Sequence, residues 1–414
     1  MLMILMVVFT LYTLIKIYVS VMQIGYISDA KREDAVLLSS AKYIVAGNYA
    51  IKKERVAIAE SFVEYFLFLF WVFGGFKYLQ NLVGIEGLWS NLLFIFGYIA
   101  LNFLVTLPFD IYKVFWLDKS FNFSKTTPKL YIIDMLKSSL IFLVVGGAIF
   151  SAIIFIIDNF SNWWIWSFAV VFALVIFTNM LYPTLIAPIF NKFKPIEDVE
   201  LKSDIEKIMK SVGLDSDGIF TIDASKRDSR LNAYFGGLGK SKRVVLYDTL
   251  LEKLNKNEIL AILGHELGHY SHKDIFKNIA VVGLFLFTVL AIIGNLPESL
   301  FLNLGVVATA GVKIAVIMML LPIFSFLYMP IMGLISRHNE YEADKFGAKI
   351  GGKDNLINGL LKLVNENKSF PKSHPVYIFF YYTHPPVLER LKALGYDINK
   401  PKDSIILDFL DADN

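Results

Sequence analysis

The sequence predicts a mainly α-helical membrane protein in which seven helices cross the bilayer. Of its 414 residues, 56% are hydrophobic and only 19% are charged, a balance that departs from that of ordinary soluble proteins. It contains apolar runs of about 18 to 25 residues, each long enough to span a bilayer as a helix. The segments between these runs alternate in their content of Lys and Arg, as expected for loops on opposite sides of a membrane.

Seven apolar runs define the predicted spans. They lie near residues 2–22, 61–83, 88–109, 136–157, 163–188, 279–297 and 313–335. The first run has neither a basic start nor a small-residue cleavage site, so we predict a retained membrane anchor and not a signal peptide.

The distribution of basic residues predicts the orientation of the chain in the membrane. Lys and Arg are frequent in segments 23–60 and 110–135, whereas the turns near 84–87, 158–162 and 298–312 contain none. Because short cytoplasmic loops are enriched in these residues, the N-terminus is predicted to lie outside. The predicted cytosolic segments are 23–60, 110–135, 189–278 and 336–414.

The spans divide the chain into four predicted parts. Residues 1–188 hold spans one to five with their cytoplasmic loops, and residues 279–335 hold spans six and seven. Between them, residues 189–278 form a cytosolic insert with a helix near 197–212, a strand-like "GIFTID", and a strand-like "RVVLYD" after the turn "GGLGKSK". This pattern predicts a small β-hairpin or sheet. Residues 336–414 form the C-terminal cytosolic part.

Two features of the composition limit the function. The net charge of +3 is small and the basic residues are dispersed, so no nucleic-acid partner is predicted. The chain contains no cysteine, which excludes disulfides, thiolate catalysis and Cys-ligated metals. Any metal must therefore be held by His and carboxylate side chains.

The strongest chemical signal is the stretch "AILGHELGHYSHKD" at 261–274. On a helix, His265 and His269 lie one turn apart on one face, so both imidazoles can reach a single metal ion. Glu266 lies beside that ion without binding it, where it can deprotonate a zinc-activated water. This arrangement is typical of zinc metalloproteases.

The same helix carries signals for its beginning and its packing. Asn255 or Asn257 is the predicted N-cap. Gly264 and Gly268 each cost a helix roughly 1 kcal/mol relative to Ala, so they predict that another backbone approaches closely.

A catalytic zinc needs a third protein ligand and an open position. The stretch "SRHNEYEADKFGAKIG" places Glu340 and Asp344 four residues apart, on the same predicted side of the membrane as the histidines. Glu340 is predicted to complete the ligand set, while Asp344 accepts a hydrogen bond from a ligand imidazole. Glu342 and His338 are alternatives, although a solvated helix face explains both more simply.

These motifs, with several longer stretches, resemble the CAAX prenyl protease 1 family of integral-membrane zinc metalloproteases, which trim prenylated CAAX proteins and peptide precursors. The similar stretches are "LPFDIYKVFWLDKSFNFSKTT" at 107–127, "YPTLIAPIFNKFKP" at 182–195, "NAYFGGLGKSKRVVLYDTLL" at 232–251, "HELGHY" at 265–270, "NEYEADKFG" at 339–347 and "THPPVLERLKALG" at 383–395. The resemblance implies seven helices that enclose a water-filled chamber capped by the zinc metalloprotease domain.

The resemblance also implies a role for each matching residue of the metal site. It places the ligands of one Zn²⁺ per chain on His265, His269 and Glu340. The catalytic glutamate falls on Glu266, and the supporting aspartate falls on Asp344.

Two further residues are implied to act near the zinc. His384 and Arg390 match family residues placed close to the metal, where hydrogen-bond donors stabilise the oxyanion of a tetrahedral intermediate.

The resemblance implies a substrate-binding edge strand that begins at Asn232 and Ala233. Extended peptides add to such an edge through backbone hydrogen bonds. Just upstream, Asp228 and Arg230 stand where eukaryotic members typically have serine and histidine. This difference leaves the substrate preference open.

The sequence thus predicts a membrane-embedded zinc metalloendopeptidase that hydrolyses peptide bonds through a zinc-activated water. Its expected partners are the lipid bilayer and a prenylated or membrane-associated peptide or protein. The short external turns and the lack of a Lys-rich C-terminal retrieval signal favour a bacterial inner membrane, with the active site on the cytoplasmic side.

Two alternatives remain at this stage. A quality-control metalloprotease without a prenyl requirement would share every catalytic residue. A seven-helix transporter or receptor with a structural zinc is less favoured, because structural sites normally have four protein ligands and only three candidates are found.

Overall fold

Seven long apolar helices account for most of the structure. The computed structural model describes residues 1–214, 218–238 and 242–398. The first five membrane helices are α1 (Leu2–Ala30), α2 (Ser40–Val83), α3 (Gly87–Ser120), α4 (Pro128–Asn159) and α5 (Trp163–Phe190). Each contains one predicted span. The tip of the turn at 239–241 and the end of the C-terminal part at 399–414 lie outside the described residues.

A small four-stranded sheet and its helices follow the fifth membrane helix. The elements are β1 (Phe193–Pro195), α6 (Val199–Ser211), β2 (Ile219–Ile222), β3 (Ala233–Gly236), β4 (Arg243–Tyr247), α7 (Asp248–Lys253) and α8 (Lys256–Ser271). The strand order is β1-β2-β4-β3, in which β2 and β4 are parallel and the two outer pairs are antiparallel. The strand β3 therefore lies at one edge of the sheet, and β3 with β4 forms the predicted hairpin.

The remaining regular elements of the described chain are α-helices joined by loops. They are α9 (Asp274–Gly294), α10 (Glu298–Asn303), α11 (Ala310–Gly351), α12 (Lys353–Glu366), α13 (Pro375–Tyr381) and α14 (Val387–Ala393). The helices α9 and α11 are the sixth and seventh membrane helices, so the seven predicted spans are confirmed. A chamber enclosed by these helices stays a prediction.

The seventh membrane helix also builds part of the soluble region. It has 42 residues, and at about 1.5 Å per residue its length is roughly twice the thickness of the hydrocarbon core. Its C-terminal turns therefore extend past the bilayer. They pack against α8, α12 and α13.

The sheet and its helices share one apolar core. Leu201 of α6, Leu246 of β4, Leu263 of α8 and Leu356 of α12 are buried in it, each no more than 4% exposed. This core fixes α8 between the sheet and the helices that follow. Burial of such side chains typically contributes about 1.5–3 kcal/mol each.

Small residues let α8 and α11 approach closely. A Cβ atom on Gly268 would lie 2.9 Å from the Cα of Ala343, and one on Gly264 would lie 3.2 Å from the Cα of Gly347. Both distances are shorter than the 3.5–4.0 Å of ordinary carbon contact. The close backbone approach expected from the glycines is thus present, and it sets the two helices face to face at the candidate site.

Candidate active site

The helix α8 begins with a reciprocal capping arrangement. The Oδ1 atom of Asn255 accepts from the backbone N–H of Glu258 at 3.0 Å, and the Glu258 carboxylate accepts from the backbone N–H of Asn255 at 2.8 Å. Asn255 is therefore the cap, not Asn257. This capping box satisfies two backbone donors and fixes where the helix begins.

Two histidines of α8 meet a glutamate of α11. His265 Nε2 lies 3.5 Å from Glu340 Oε2, and His269 Nε2 lies 3.2 Å from Glu340 Oε1. One nitrogen or oxygen from each of the three side chains falls within 4.8 Å of the others. This spacing suits three ligands of one metal ion.

Each imidazole is oriented by a second carboxylate. His265 Nδ1 lies 2.9 Å from Asp344 Oδ1, and His269 Nδ1 lies 3.0 Å from Asp274 Oδ2. Both aspartates are 2% exposed. A carboxylate on Nδ1 fixes the ring tautomer and leaves Nε2 to the metal.

Asp274 is not among the site residues predicted from the sequence. This residue is the first of α9, and Lys273 before it has a left-handed backbone with φ of 58°. That turn brings Asp274 back towards His269. The sequence does contain a signal for this role. A histidine that binds a metal needs a hydrogen-bond partner for its second ring nitrogen, and Asp274 is an acidic residue close to His269 in the sequence.

The Glu340 carboxylate has an oxygen that can bind a metal ion. Glu340 is 2% exposed, and its Oε2 atom has no hydrogen-bond partner within the described ranges. Arg390 Nη1 lies 3.3 Å from this atom and forms an ion pair with it, so a metal ion would share the carboxylate with the guanidinium. Two imidazoles and one carboxylate fit a divalent metal that leaves a position open.

Glu266 lies on α8 between the two histidines. It interacts electrostatically with His265, His269 and Glu340. Burial raises the pKa of its carboxyl above the usual range. A raised pKa suits a group that takes up a proton and later releases it.

Arg390 of α14 is buried against the same cluster. Its Nε and Nη2 atoms donate to the two carboxylate oxygens of Asp344 at 2.8 and 2.6 Å, and its Nη1 atom lies 3.3 Å from Glu340 Oε2. The bidentate pair compensates the charge of Asp344 and fixes its orientation.

His384 lies near the Oε1 atom of Glu340, whereas Arg390 lies near the Oε2 atom. Its Nε2 atom is 3.2 Å from Glu340 Oε1, and 63% of its side chain is exposed. Arg337, one turn before Glu340 on α11, donates to the backbone carbonyl of Tyr382 at 2.5 Å. This bond ties the segment that carries His384 to α11.

The strand β3 runs beside α8. Ala233 is its first residue and pairs with Leu246 of β4, and the side chain of Asn232 accepts from the Ala233 N–H at 2.9 Å. The rings of Phe235 and Tyr270 are in edge contact at 5.5 Å. Since Tyr270 follows His269, this contact sets the edge strand next to the metal-binding helix.

The two alternative ligands lie outside the cluster. Glu342, with 41% of its side chain exposed, binds Lys345 at 2.7 Å, one turn along α11. His338 is exposed on the same helix. Both belong to a solvated helix face.

Comparison with protein families divides the chain at the end of the fifth membrane helix. Residues 195–398 match Peptidase family M48. Residues 32–192 match the CAAX prenyl protease N-terminal family of five membrane helices. The helix α8, the edge strand β3 and the end of α11 all lie in the peptidase match.

Individual relatives cover most of the chain. The CAAX prenyl protease 1 of Saccharomyces cerevisiae is 38% identical over 328 residues, which is 73% of this chain and 72% of the yeast protein. The Oryza sativa homologue is 32% identical over 390 residues, which is 90% of this chain and 88% of the rice protein. These matches extend well beyond the metal-binding motif.

The fold has a solved counterpart. The crystal structure of S. mikatae Ste24p is 30% identical, with a TM-score of 0.87 over 95% of this chain and 98% of that one. The protein is an integral, multi-pass membrane metalloendopeptidase, and a transporter or receptor is not favoured. The two family matches and these relatives show that this chain belongs to the CAAX prenyl protease 1 family.

Proposed function

We propose that one Zn²⁺ per chain binds His265, His269 and Glu340 and supplies a Lewis acid at the scissile carbonyl. The main support is that the Nε2 atoms of His265 and His269 both lie close to the Glu340 carboxylate. The Oε2 atom of Glu340 lacks a hydrogen-bond partner among the described residues. Imidazole and carboxylate ligands in this combination favour zinc. Asp344 and Asp274 orient the two imidazoles.

Glu266 is the general base of the proposed reaction. It takes a proton from the attacking water and later gives a proton to the leaving amine. The raised pKa of its carboxyl supports both transfers. No covalent acyl-enzyme forms in this scheme.

His384 is the proposed donor to the oxyanion. Its exposed imidazole faces the cluster from the open side, where a substrate carbonyl has access. Arg390 was also expected to donate to the oxyanion. Because two of its nitrogens are bonded to Asp344 in a buried pair, we assign it instead to positioning Asp344 and, through it, His265.

Asn232 and Ala233 begin the proposed substrate-binding edge. A peptide that adds to β3 as a further strand would lie alongside α8. We propose a prenylated CAAX protein or peptide as substrate, in keeping with the relatives' name of CAAX prenyl protease 1. A quality-control protease that cleaves unprenylated membrane proteins is the second candidate.

The proposed active site faces the cytosol. The support is the clustering of Lys and Arg in segments 23–60 and 110–135. The four-part division at 188, 278 and 335 and the bacterial inner membrane likewise remain proposals.

The test uses purified, detergent-solubilised protein and two peptides that differ only in a farnesyl group. We expect a chelator to abolish cleavage and added zinc to restore it. Faster cleavage of the farnesylated peptide supports CAAX processing, whereas equal rates favour quality control. Cleavage that is unaffected by the chelator would contradict the metal-dependent mechanism.

A further inference from the structure

A polar cleft of about 630 Å³ lies beside the beginning of the edge strand. Asn367 lines the cleft, and its side chain bonds to both the N–H and the carbonyl of Leu231, at 2.8 and 3.2 Å. Tyr382, two residues before His384, also lines it. The cleft therefore lies between the proposed substrate strand and the segment that carries His384.

The cleft is lined by more cations than carboxylates. Its charged lining residues are Lys53, Lys113, Arg230 and Lys368 against Glu54 and Asp118. Within the described residues, Lys53 and Lys368 have no carboxylate in ion-pair distance. Lys368 Nζ donates instead to the carbonyl of Phe121 at 2.6 Å. Lys113 is already paired with Glu60 and Asp110, and Arg230 with Asp118 and Asp228, so Lys53 and Lys368 are the two lining cations without a carboxylate partner among the described residues.

Arg230 is held rigidly at the wall of this cleft. It pairs with Asp228 at 2.6 Å and with Asp118 at 3.1 Å, and its guanidinium stacks 4.1 Å from the centre of the Phe123 ring. A fixed guanidinium can bind an anion with little further loss of entropy.

The acidic Glu54 is occupied by another contact. It is 7% exposed and accepts from the Tyr377 hydroxyl at 2.6 Å. Glu54 forms no ion pair among the described residues, so it does not pair with Lys53 or Lys368, although its carboxylate still counts in the charge of the cleft.

The pKa of Lys368 reflects its burial and the cations around it. Burial lowers it, and the neighbouring cations Arg230, Lys125 and Lys42 lower it further, against the opposing effect of Glu366. An anion bound in the cleft would relieve this repulsion.

The position of the cleft along the strand suggests which anion it receives. An added strand antiparallel to β3 runs from Gly236 towards Ala233, so its carboxyl end points towards Arg230. Antiparallel pairs are the commoner arrangement in sheets. Three extended residues span about 10 Å, so a C-terminus three residues beyond Ala233 would lie at the level of Arg230 if the added strand continued in extended form.

We propose that this cleft binds the free C-terminal carboxylate of the substrate and so selects peptides cleaved close to their end. The proposal rests on the proposed peptidase function. Lys53 and Lys368 supply the charge, Arg230 lies at the wall of the cleft, and capture of a C-terminal carboxylate by fixed donors is a recurring mode of peptide recognition. Charge-assisted hydrogen bonds give this contact its strength.

The test compares one farnesylated peptide with a free C-terminal acid and the same peptide with a C-terminal amide. We expect kcat/KM of the wild type to favour the acid by about tenfold, mainly through KM. In the Lys53→Gln variant the preference should fall by about threefold or more, and Lys53→Arg should restore it.

Lys52→Gln is the matched control. Lys52 is the adjacent exposed lysine of α2 but lines a different groove with Arg55 and Pro108. Its replacement should leave the ratio of acid to amide unchanged. Equal loss in both lysine variants would show a general charge effect and overturn the proposal.

A binding measurement separates this proposal from the peptidase function. The fluorescence anisotropy of each labelled peptide is measured with the zinc-loaded Glu266→Gln variant, where we expect about tenfold tighter binding of the acid. If the wild type cleaves both peptides with equal kcat/KM and the variant binds them with equal affinity, the carboxylate site is overturned but the peptidase function is not. Tighter binding of the acid without cleavage by the wild type supports the site and overturns the peptidase function.

Discussion

At the scale of single residues, the proposed zinc site depends on carboxylates that are not themselves proposed ligands. Asp344 and Asp274 orient the two ligand imidazoles from opposite sides. Each has its own cation, Arg390 at 2.6 Å and Lys277 at 2.8 Å. Buried carboxylates with paired cations hold the rings without leaving an uncompensated charge.

We expect Asp274→Ala to weaken zinc binding by about 10- to 100-fold, because His269 loses the acceptor that fixes its tautomer. Competition with a chromogenic chelator measures the affinity. Asp354→Ala, which removes an exposed acid from the first turn of α12, is the control. Wild-type zinc affinity in Asp274→Ala would contradict the orienting role.

At the scale of elements, the geometry of the site depends on how closely α8 and α11 pack. Gly264 and Gly268 face Gly347 and Ala343 across the contact. A side chain there would push the histidines away from Glu340. The separation of the helices thus sets the ligand distances.

The variant Gly268→Ala should destabilise the protein by about 1–3 kcal/mol through overpacking and weaken zinc binding as well. Gly25→Ala in α1 is a matched control, because a Cβ there would meet nothing within 4 Å. In a helix interior that change should be neutral or stabilising by up to about 1 kcal/mol. The stabilities of the two variants are compared through their melting temperatures in detergent. Equal melting temperatures would contradict the proposed close packing at Gly268.

The sequence could predict those parts of the site that follow from local spacing. His265 and His269 share a helix face, and the glycines beside them indicated close packing. The bond from Arg390 to Asp344 could not be predicted from spacing, since 46 residues separate them. The contact of Asp274 with His269 depends on the left-handed turn at Lys273, a conformation that Lys seldom adopts.

At the scale of the whole molecule, the seven membrane helices and the peptidase region are joined in one structure. The helix α11 links them, because it spans the bilayer and then carries Glu340 and Asp344. The spans could be predicted from apolar length alone. The parallel pairing of β2 with β4 could not be predicted, because β3 lies between these two strands in the sequence although they are neighbours in the sheet.

The absence of cysteine from the sequence allows a direct test of the predicted orientation. Single cysteines at Lys129 and at Lys31 should resist a membrane-impermeant maleimide in intact cells, because both loops are predicted to be cytosolic. Cysteines at Glu86 and Ser161 should react. Labelling of the first pair and protection of the second would reverse the proposed orientation.

The central claim is that Glu266 acts as the general base at a zinc held by His265, His269 and Glu340. The most direct measurement is the cleavage rate of Glu266→Gln against wild type, with zinc per chain determined on the same samples. We predict one zinc in both proteins and a rate lower by about 10²–10⁴-fold in the variant. Glu342→Gln, on α11 but outside the cluster, should cleave at the wild-type rate. Wild-type cleavage by zinc-loaded Glu266→Gln would contradict the account.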